Sequence, residues 1–265
     1  MSVAHPEGRV AASRDGHIHE ILIDRPAKMN GFTPKMLHEF SHAVTAFEND
    51  PEARCALVTA AGPHFTAGLD LPMIAAAWAK GEAIYPADAL DMFDLRPPFR
   101  SKPLVMAVHG ICYTVGIELM LSADIVVAAD DCRFRQLEAK RGILAAGGAT
   151  IRMVERAGWS NAMRYLLTGD EFDADRALRL NFINEIVPAG RQAERARQLA
   201  DAIANQTAPL AVQAMRRNAR EAIEKGPAAA VAQLDELRLF LRQTEDAAEG
   251  VRSFVEKRPP VFRGR

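Results

Sequence analysis

The stretch Pro103-Leu-Val-Met-Ala-Val108, His109-Gly-Ile-Cys-Tyr-Thr-Val-Gly-Ile-Glu-Leu-Met-Leu121 and Asp124-Ile-Val-Val-Ala128 reads as strand, turn, helix and strand. Both strand segments are short, rich in β-branched residues and continuously apolar. Strands covered on both faces have that pattern, because neither face meets water. Cys55-Ala-Leu-Val-Thr59 is of the same kind. Further upstream, Val10–Ser13 and Ile18–Ile23 flank the turn signal Arg14-Asp15-Gly16, which predicts a β-hairpin. Between the hairpin and Cys55, Met36, Leu37, Phe40, Val44 and Phe47 recur at helical spacing over Pro34–Glu48. Thr33 is placed to cap that helix and Pro34 to open it. Strands alternating with helices predict an α/β fold with much parallel pairing.

Beyond Thr150 the pattern becomes helical, over Ile151–Ala157, Asn161–Thr168, Ala174–Leu180, Arg191–Gln206, Pro209–Glu224 and Pro227–Gln243. One short strand, Phe182–Val187, interrupts it before Pro188. The expected organisation is an α/β core over residues 1–195 and a helical extension over 196–265, within one folded unit. Residues 72–100 are the least regular part, broken by Gly81, Pro86, Pro97 and Pro98. A long irregular segment inside a compact domain is expected to be a binding loop or a surface excursion.

Composition narrows the function classes. Among 265 residues, 49% are hydrophobic and 25% charged, with a formal net charge of −1, so the whole molecule is not drawn to nucleic acid or an anionic membrane. The tail Lys257–Arg265 is locally cationic. Cys55, Cys112 and Cys132 form no CxxC pair, which argues against a disulfide framework or a four-cysteine zinc site and for reduced core thiols. Met1–Arg9 has no apolar signal-peptide region, and no stretch approaches the ~20 apolar residues of a membrane span. A cytoplasmic location is the expectation. Nucleotide, phosphate-loop, HExxH and GxSxG signatures are absent. His17, His19, His38 and His42 lack ligand spacing, and His109 stands alone at a strand end.

Two segments offer chemistry: Gly62-Pro-His-Phe-Thr-Ala-Gly-Leu-Asp-Leu71 and His109–Leu121. Their small residues let a ligand approach the backbone, and a helix start presents free N–H donors. Two such donors converging on one carbonyl oxygen would make an oxyanion hole. Glu118 stands near the start of an apolar helix, and Glu138 follows after a strand and a turn. Each has a plainer reading. The helix dipole favours an acid in the first turn, and Glu138 has Arg133, Arg135, Lys140 and Arg141 beside it to pair with.

At these residues the chain resembles the crotonase, or enoyl-CoA hydratase/isomerase, superfamily. Ile23-Asp-Arg-Pro-Ala-Lys-Met-Asn-Gly31 is similar to its early Arg-Pro…Asn segment, and Phe65-Thr-Ala-Gly-Leu-Asp-Leu71 to its first oxyanion signature. His109–Leu119 with Ser122-Ala-Asp-Ile-Val126 resembles the second signature, and Phe134-Arg-Gln-Leu-Glu138 with Gly147-Gly148 the stretch holding the second glutamate. The helical part and the ending Thr244–Phe262 also match in order. The resemblance implies a crotonase-like spiral of ββα units with a C-terminal helical extension.

It further implies catalytic Glu118 and Glu138 and oxyanion-hole N–H groups at Leu69 and Val115. Substrate-binding positions are implied at Ala67, Gly68, Asp70, Gly116, Lys28 and Lys257, Lys257 reaching the nucleotide of a neighbouring subunit. The implied activity is hydration of a 2-enoyl-CoA without metal or redox cofactor, in a homotrimer or homohexamer whose C-terminal helices make the contacts. Double-bond isomerisation or another acyl-CoA reaction of the superfamily, and acyl-CoA binding or assembly without catalysis, are the alternatives. Thr114-Val115-Gly116 stands where the family usually has three glycines, and Pro72 replaces a frequent basic residue. Acyl-chain length would be set by Met73, Ile74, Trp78, Leu90, Met92 and Phe93.

Overall fold

The structure, a computed structural model, describes residues 6–265; part of the N-terminal stretch read above, residues 1–5, lies outside the described residues. A six-stranded sheet forms the frame. The hairpin β1 (Arg9–Asp15) and β2 (Ile18–Asp24) is antiparallel. Parallel pairing then adds β3 (Cys55–Ala60), β4 (Leu104–Val108), β6 (Ile125–Ala129) and β9 (Glu185–Val187), in the order β1-β2-β3-β4-β6-β9. The continuous apolar runs occupy the middle of this sheet. All five residues of β4 are buried, as a strand covered on both faces requires.

A second sheet, not foreseen from the sequence, joins β5 (Ile111–Tyr113), β7 (Arg133–Arg135) and β8 (Phe172–Asp173). Strands of two or three residues carry too little periodicity to be read in advance. This small sheet stacks Phe134 on Phe172, ring centroids 5.4 Å apart.

Helix α1 (Pro34–Asn49) has the expected cap, Thr33 Oγ1 accepting from Met36 N at 3.2 Å, and buries its apolar stripe on the large sheet. The segment expected to be irregular opens with a helix, α2 (Leu71–Ala79), capped by Asp70 with Pro72 in its first turn. The irregular stretch proper runs from residue 80 to 103. It is tied to α1 by Leu90 N donating to Thr45 Oγ1 at 2.8 Å and by His38 Nε2 against Ala83 O at 2.9 Å. Next come α3 (Val115–Ser122), α4 (Ala149–Ala157), α5 (Trp159–Thr168) and α6 (Ala174–Arg179).

Helix α7 (Gln192–Gln206) lays Ala196, Ala200 and Ala204, all fully buried, on the second face of the large sheet beside Val105, Ala107 and Val127. The division read between residues 195 and 196 therefore falls inside a helix that belongs to the core. The extension that leaves the core is α8 (Pro209–Lys225), α9 (Pro227–Arg242) and α10 (Glu245–Glu256). Two cations of its tail are paired in place: Arg258 with Glu249 at 2.5 Å and Arg265 with Glu245 at 3.0 Å. All three cysteines are buried and free.

Candidate active site

The site begins with a clamp. Asn30, fully buried at φ 53°, donates through Nδ2 to Ala61 O and His64 O at 2.8 Å each and accepts from Arg25 N at 2.6 Å. Arg25 in turn holds Gly31 O at 2.9 Å and the Asp70 carboxylate at 2.8 Å. These bonds fix the chain where it leaves β3, so the following residues lie along β5. Phe65 N donates to His109 O, Thr66 N to Ile111 O, and Tyr113 N to Thr66 O, at 2.9 to 3.0 Å. The two segments singled out in the sequence thus run side by side.

Orientation of the two amides follows. Gly68 O accepts from Phe32 N and Asp70 N donates to Phe32 O, both at 2.8 Å. Leu69 lies between these two groups, so strand alternation turns its amide away from Phe32. Val115 is the first residue of α3, where an N–H has no acceptor within its helix. The residues immediately before them, Gly68 and Thr114, are in contact: a side chain at 68 would overlap Thr114 Oγ1. Leu69 and Val115 thus both border one chamber. Val115 buries its side chain in the core while bordering the chamber. Thr114 holds φ 50° and ψ −112°, a left-handed conformation that strains a β-branched residue.

Leu69, Val115, Glu118 and Glu138 line one chamber of 410 Å³ together with Tyr85, Gly147 and others. A second space of 300 Å³ shares Leu69, Glu138 and Ile143 and continues along Ala67, Asp70 and Thr114. Glu118 belongs to α3, and Glu138 opens a short 3₁₀ turn, Glu138–Arg141. Both carboxylates are buried. The plainer reading of Glu138 fails: among the described residues it forms no ion pair with its basic neighbours, and its Oε2 has no hydrogen-bond partner. Glu118 Oε1 accepts a long bond from Ala149 N, 3.4 Å, and the Gly147 backbone also bonds the carboxylate.

Burial raises the Glu118 pKa to about 8, and the nearby Glu138 charge adds to the shift. Burial likewise raises that of Glu138 to about 7. Between them the pair holds a proton through the neutral range, so one group can accept a proton while the other donates. Tyr85 escaped the sequence reading because it sits in a stretch without periodicity. Its phenol is raised to about 12, chiefly by burial and further by Glu118, so it stays a donor at the chamber wall.

Other expected positions have different duties. Gly116 lines neither space; a Cβ there would lie 2.6 Å from Thr66 Cγ2 and 3.1 Å from Cys112 Sγ, so it lets α3 close on the first segment. Gly68 likewise makes room for Thr114. Asp70 borders the second space but is engaged as the cap of α2 and the partner of Arg25. Lys28 and Lys257 are exposed and line neither space. His109 bonds Gly62 O at 2.9 Å, a loop tie. Of the residues expected to set chain length, Trp78 lines the chamber, whereas Ile74 is fully buried in the core.

Gly147 is a missed position. A Cβ there would lie 2.6 Å from Glu118 Oε2 and 2.8 Å from Phe93 Cε1. Gly147→Ala is expected to push the Glu118 carboxylate aside and lower kcat/KM by about 100-fold, the scale of a ~1 Å misplacement. Steady-state kinetics with an unchanged melting temperature would establish this; activity within twofold of the parent would refute it.

Comparison with known proteins agrees with this architecture. Residues 13–265 match the family model for enoyl-CoA hydratase/isomerase. Enoyl-CoA hydratase EchA19 of Mycobacterium tuberculosis is 35% identical over 259 residues, 95% of each chain. Carnitinyl-CoA dehydratase of Proteus mirabilis is 36% identical over 264 residues, 94% of this chain and 96% of its own. A crystal structure from Mycobacterium abscessus, described as a probable enoyl-CoA hydratase/isomerase, superposes with TM-score 0.92 at 44% identity, covering 97% of this chain and 98% of that one. An enoyl-CoA hydratase structure from Mycobacterium tuberculosis gives TM-score 0.88 at 34% identity, covering 98% of this chain and all of its own. Matched along nearly its whole length in sequence and in fold, the chain belongs to the enoyl-CoA hydratase/isomerase family.

Proposed function

We propose that the protein adds water across the 2,3 double bond of an enoyl-CoA thioester. The observation that carries this is two buried carboxylates, Glu118 and Glu138, bordering the same chamber as Leu69 and Val115, to whose backbone amides we assign the oxyanion. The thioester oxygen would sit on those two amides. One carboxylate takes a proton from water as its oxygen bonds to C3. The C2–C3 π electrons move toward the thioester, the amides hold the enolate oxygen, and the other carboxyl group delivers a proton to C2. Each such donor is typically worth ~3 kcal/mol in the transition state. Moving a double bond within the acyl chain needs only one proton shuttle, so two carboxylates favour hydration. The relatives' names, hydratase and dehydratase, denote the two directions of one reaction type.

Incubation with crotonyl-CoA tests the reading: the conjugated enoyl thioester absorbance is expected to fall as a 3-hydroxyacyl-CoA forms. Binding of enoyl-CoAs of several lengths without turnover would sink it. The pH dependence should be bell-shaped in kcat/KM, with its acid limb near 7 and its basic limb near 8, since the singly protonated pair is the active form. Stability follows with the opposite bias from ordinary carboxylates. Both pKa values are raised on folding, so the folded state binds more protons than the unfolded chain between about 4.5 and 8. Their contribution is full below 4.5 and is lost as pH rises through 7 to 8. Glu118→Gln should therefore gain stability relative to the parent at pH 9, measured by denaturant unfolding; an equal loss at pH 5 and 9 would contradict it.

The same reading places the protein in the cytoplasm; among the described residues no helix is long and apolar enough to cross a membrane. A homotrimer or homohexamer goes with this reading; large apolar side chains of the last two helices, Leu234, Phe240, Phe254 and Val255, are exposed in the single chain.

A further inference from the structure

Thr114 stands between the two peptide units to which the oxyanion is assigned. It immediately precedes Val115, and its Oγ1 rests against Gly68, which immediately precedes Leu69: a Cβ at position 68 would overlap that oxygen. A glycine would take the Thr114 conformation, φ 50° and ψ −112°, without cost, whereas a β-branched residue is strained in it. The backbone holds it there from both sides. Thr114 N donates to Arg135 O at 2.8 Å, and its carbonyl accepts from Glu118 N at 3.1 Å. A β-branched side chain is stiff at χ1, so a fixed backbone fixes the hydroxyl as well.

That hydroxyl has nothing within the protein to hold. A threonine just before a helix ordinarily accepts from an N–H of the first turn. Thr33 does so for α1 from Met36 N at 3.2 Å, and Thr244 for α10 from Ala247 N at 3.1 Å. Thr114 does not cap α3, and its Oγ1 has no hydrogen-bond partner among the described residues. The polar groups of Gly68 beside it are taken: N donates to Thr66 Oγ1 at 3.1 Å, and O accepts from Phe32 N at 2.8 Å. Thr66, fully buried, directs its own hydroxyl to Asn30 O at 2.7 Å. Thr114 is only half-buried and borders the 300 Å³ space together with Leu69 and Glu138, so its oxygen stays open to a ligand there.

We propose that the Thr114 hydroxyl is a third hydrogen-bond donor to the thioester oxygen, joining the amides of Leu69 and Val115 as that oxygen takes up charge. This rests on the hydration reading of the chamber and adds a catalytic residue to it. The hydroxyl keeps its proton and shares it with the enolate oxygen; no covalent bond of Thr114 is made or broken. Hydrogen bonds to an ionised acceptor are stronger than those to a neutral one, so the contact favours the enolate over the bound thioester. Three glycines in this segment would offer amides alone. Here the conformational ease of one of them is exchanged for a donor.

The test uses the full-length protein and acetoacetyl-CoA, whose acidic C2 gives an enolate with its own near-ultraviolet absorbance. Thr114→Val removes the hydroxyl and keeps the shape, Thr114→Gly removes it and relieves the strain, and Thr114→Ser keeps it. Thermal melts confirm folding; should Thr114→Val unfold, Thr114→Gly decides alone. The enolate-to-keto ratio of the bound thioester, read across pH, should fall about tenfold or more in Thr114→Val and Thr114→Gly, the scale of one hydrogen bond to a charged group. Thr114→Ser should restore most of it. Saturated butyryl-CoA, which forms no enolate, should bind the parent and the variants within a fewfold of one another.

A ratio unaltered in both Thr114→Val and Thr114→Gly overturns the proposal. So does a loss of butyryl-CoA affinity equal to the loss of enolate, or a Thr114→Ser that behaves as Thr114→Val, since either reduces the side chain to a matter of shape. A parent that binds acetoacetyl-CoA without raising its enolate fraction above that in free solution overturns it too. Because the ratio is an equilibrium property, failure to hydrate crotonyl-CoA would sink the hydration reading and leave this measurement decisive for Thr114.

Discussion

Glu138→Gln is expected to lower kcat/KM for crotonyl-CoA by about 10²- to 10⁴-fold, the usual worth of a positioned acid or base, while saturated butyryl-CoA binds within a fewfold of the parent. The amide keeps the shape of the carboxyl but neither takes nor gives a proton in the neutral range. Glu138 Oε2 is buried without a partner and no ion pair depends on it, so the fold should tolerate the change. Glu118→Gln should cost a similar factor. Each variant should also lose one limb of the pH profile, because only one titrating group remains of a pair at about 7 and about 8. Steady-state rates across pH, with calorimetry for the saturated thioester, check both parts. A variant within tenfold of the parent at pH 7.5 would remove that residue from the chemistry. If either variant alone gave a profile with both limbs intact, other groups would have to be responsible for them.

The largest effect on stability should come from Asp94→Ala. Asp94 is 5% exposed and sits at φ 52°, in the irregular stretch directly after Phe93. Its carboxylate pairs with Arg216 at 2.6 Å and with Arg220, both from α8, with the buried Arg100 3.9 Å away. Its Oδ1 accepts from Arg100 N at 2.9 Å, and its carbonyl from Arg152 of α4 at 2.9 Å. Removing this anion leaves the arginine cluster short of counter-charge. Breaking a buried pair in this way typically costs roughly 3–5 kcal/mol. Asp124 still compensates Arg100 and Arg216, at 2.8 Å from each, which argues for the lower part of that range. Asp94→Asn keeps the backbone preference and some hydrogen bonds, so it should lose less than Asp94→Ala. Denaturant unfolding measures the difference; a loss below about 1 kcal/mol for Asp94→Ala would show that the cluster is not what ties α8 to the core.

Arg152 connects this cluster to the chemistry. It donates to Phe93 O at 2.6 Å, and Phe93 packs beside Gly147 and Glu118. Asp94→Ala should therefore reduce activity in molecules that remain folded, by loosening the wall behind the carboxylate.

The frame of the protein was written locally. The unbroken apolar runs at Cys55, Leu104 and Ile125 determine strands that must be covered on both faces, and the 3.6-residue period of Met36 to Phe47 determines α1. The glutamates and the two segments that supply the amides were also visible as residues. Their roles were not, because a helix dipole or a basic neighbour explains an acidic residue equally well in one dimension. Only the fold shows that Glu138 has no cationic partner among the described residues, and that Leu69 and Val115, 46 positions apart by their numbers, border one chamber.

The small second sheet, Tyr85 at the chamber wall and the hydroxyl of Thr114, unpaired among the described residues, belong to tertiary structure for the same reason. Periodicity reports which face of an element is buried; it carries nothing about stretches too short or too irregular to have a period. Nor does it say whether a buried polar atom finds a partner on a distant element. Sequence determined the strands, the main helices and the residues able to do chemistry. Packing decided which of them share a chamber, and burial in that chamber is what lifts two ordinary carboxylates to the neutral range.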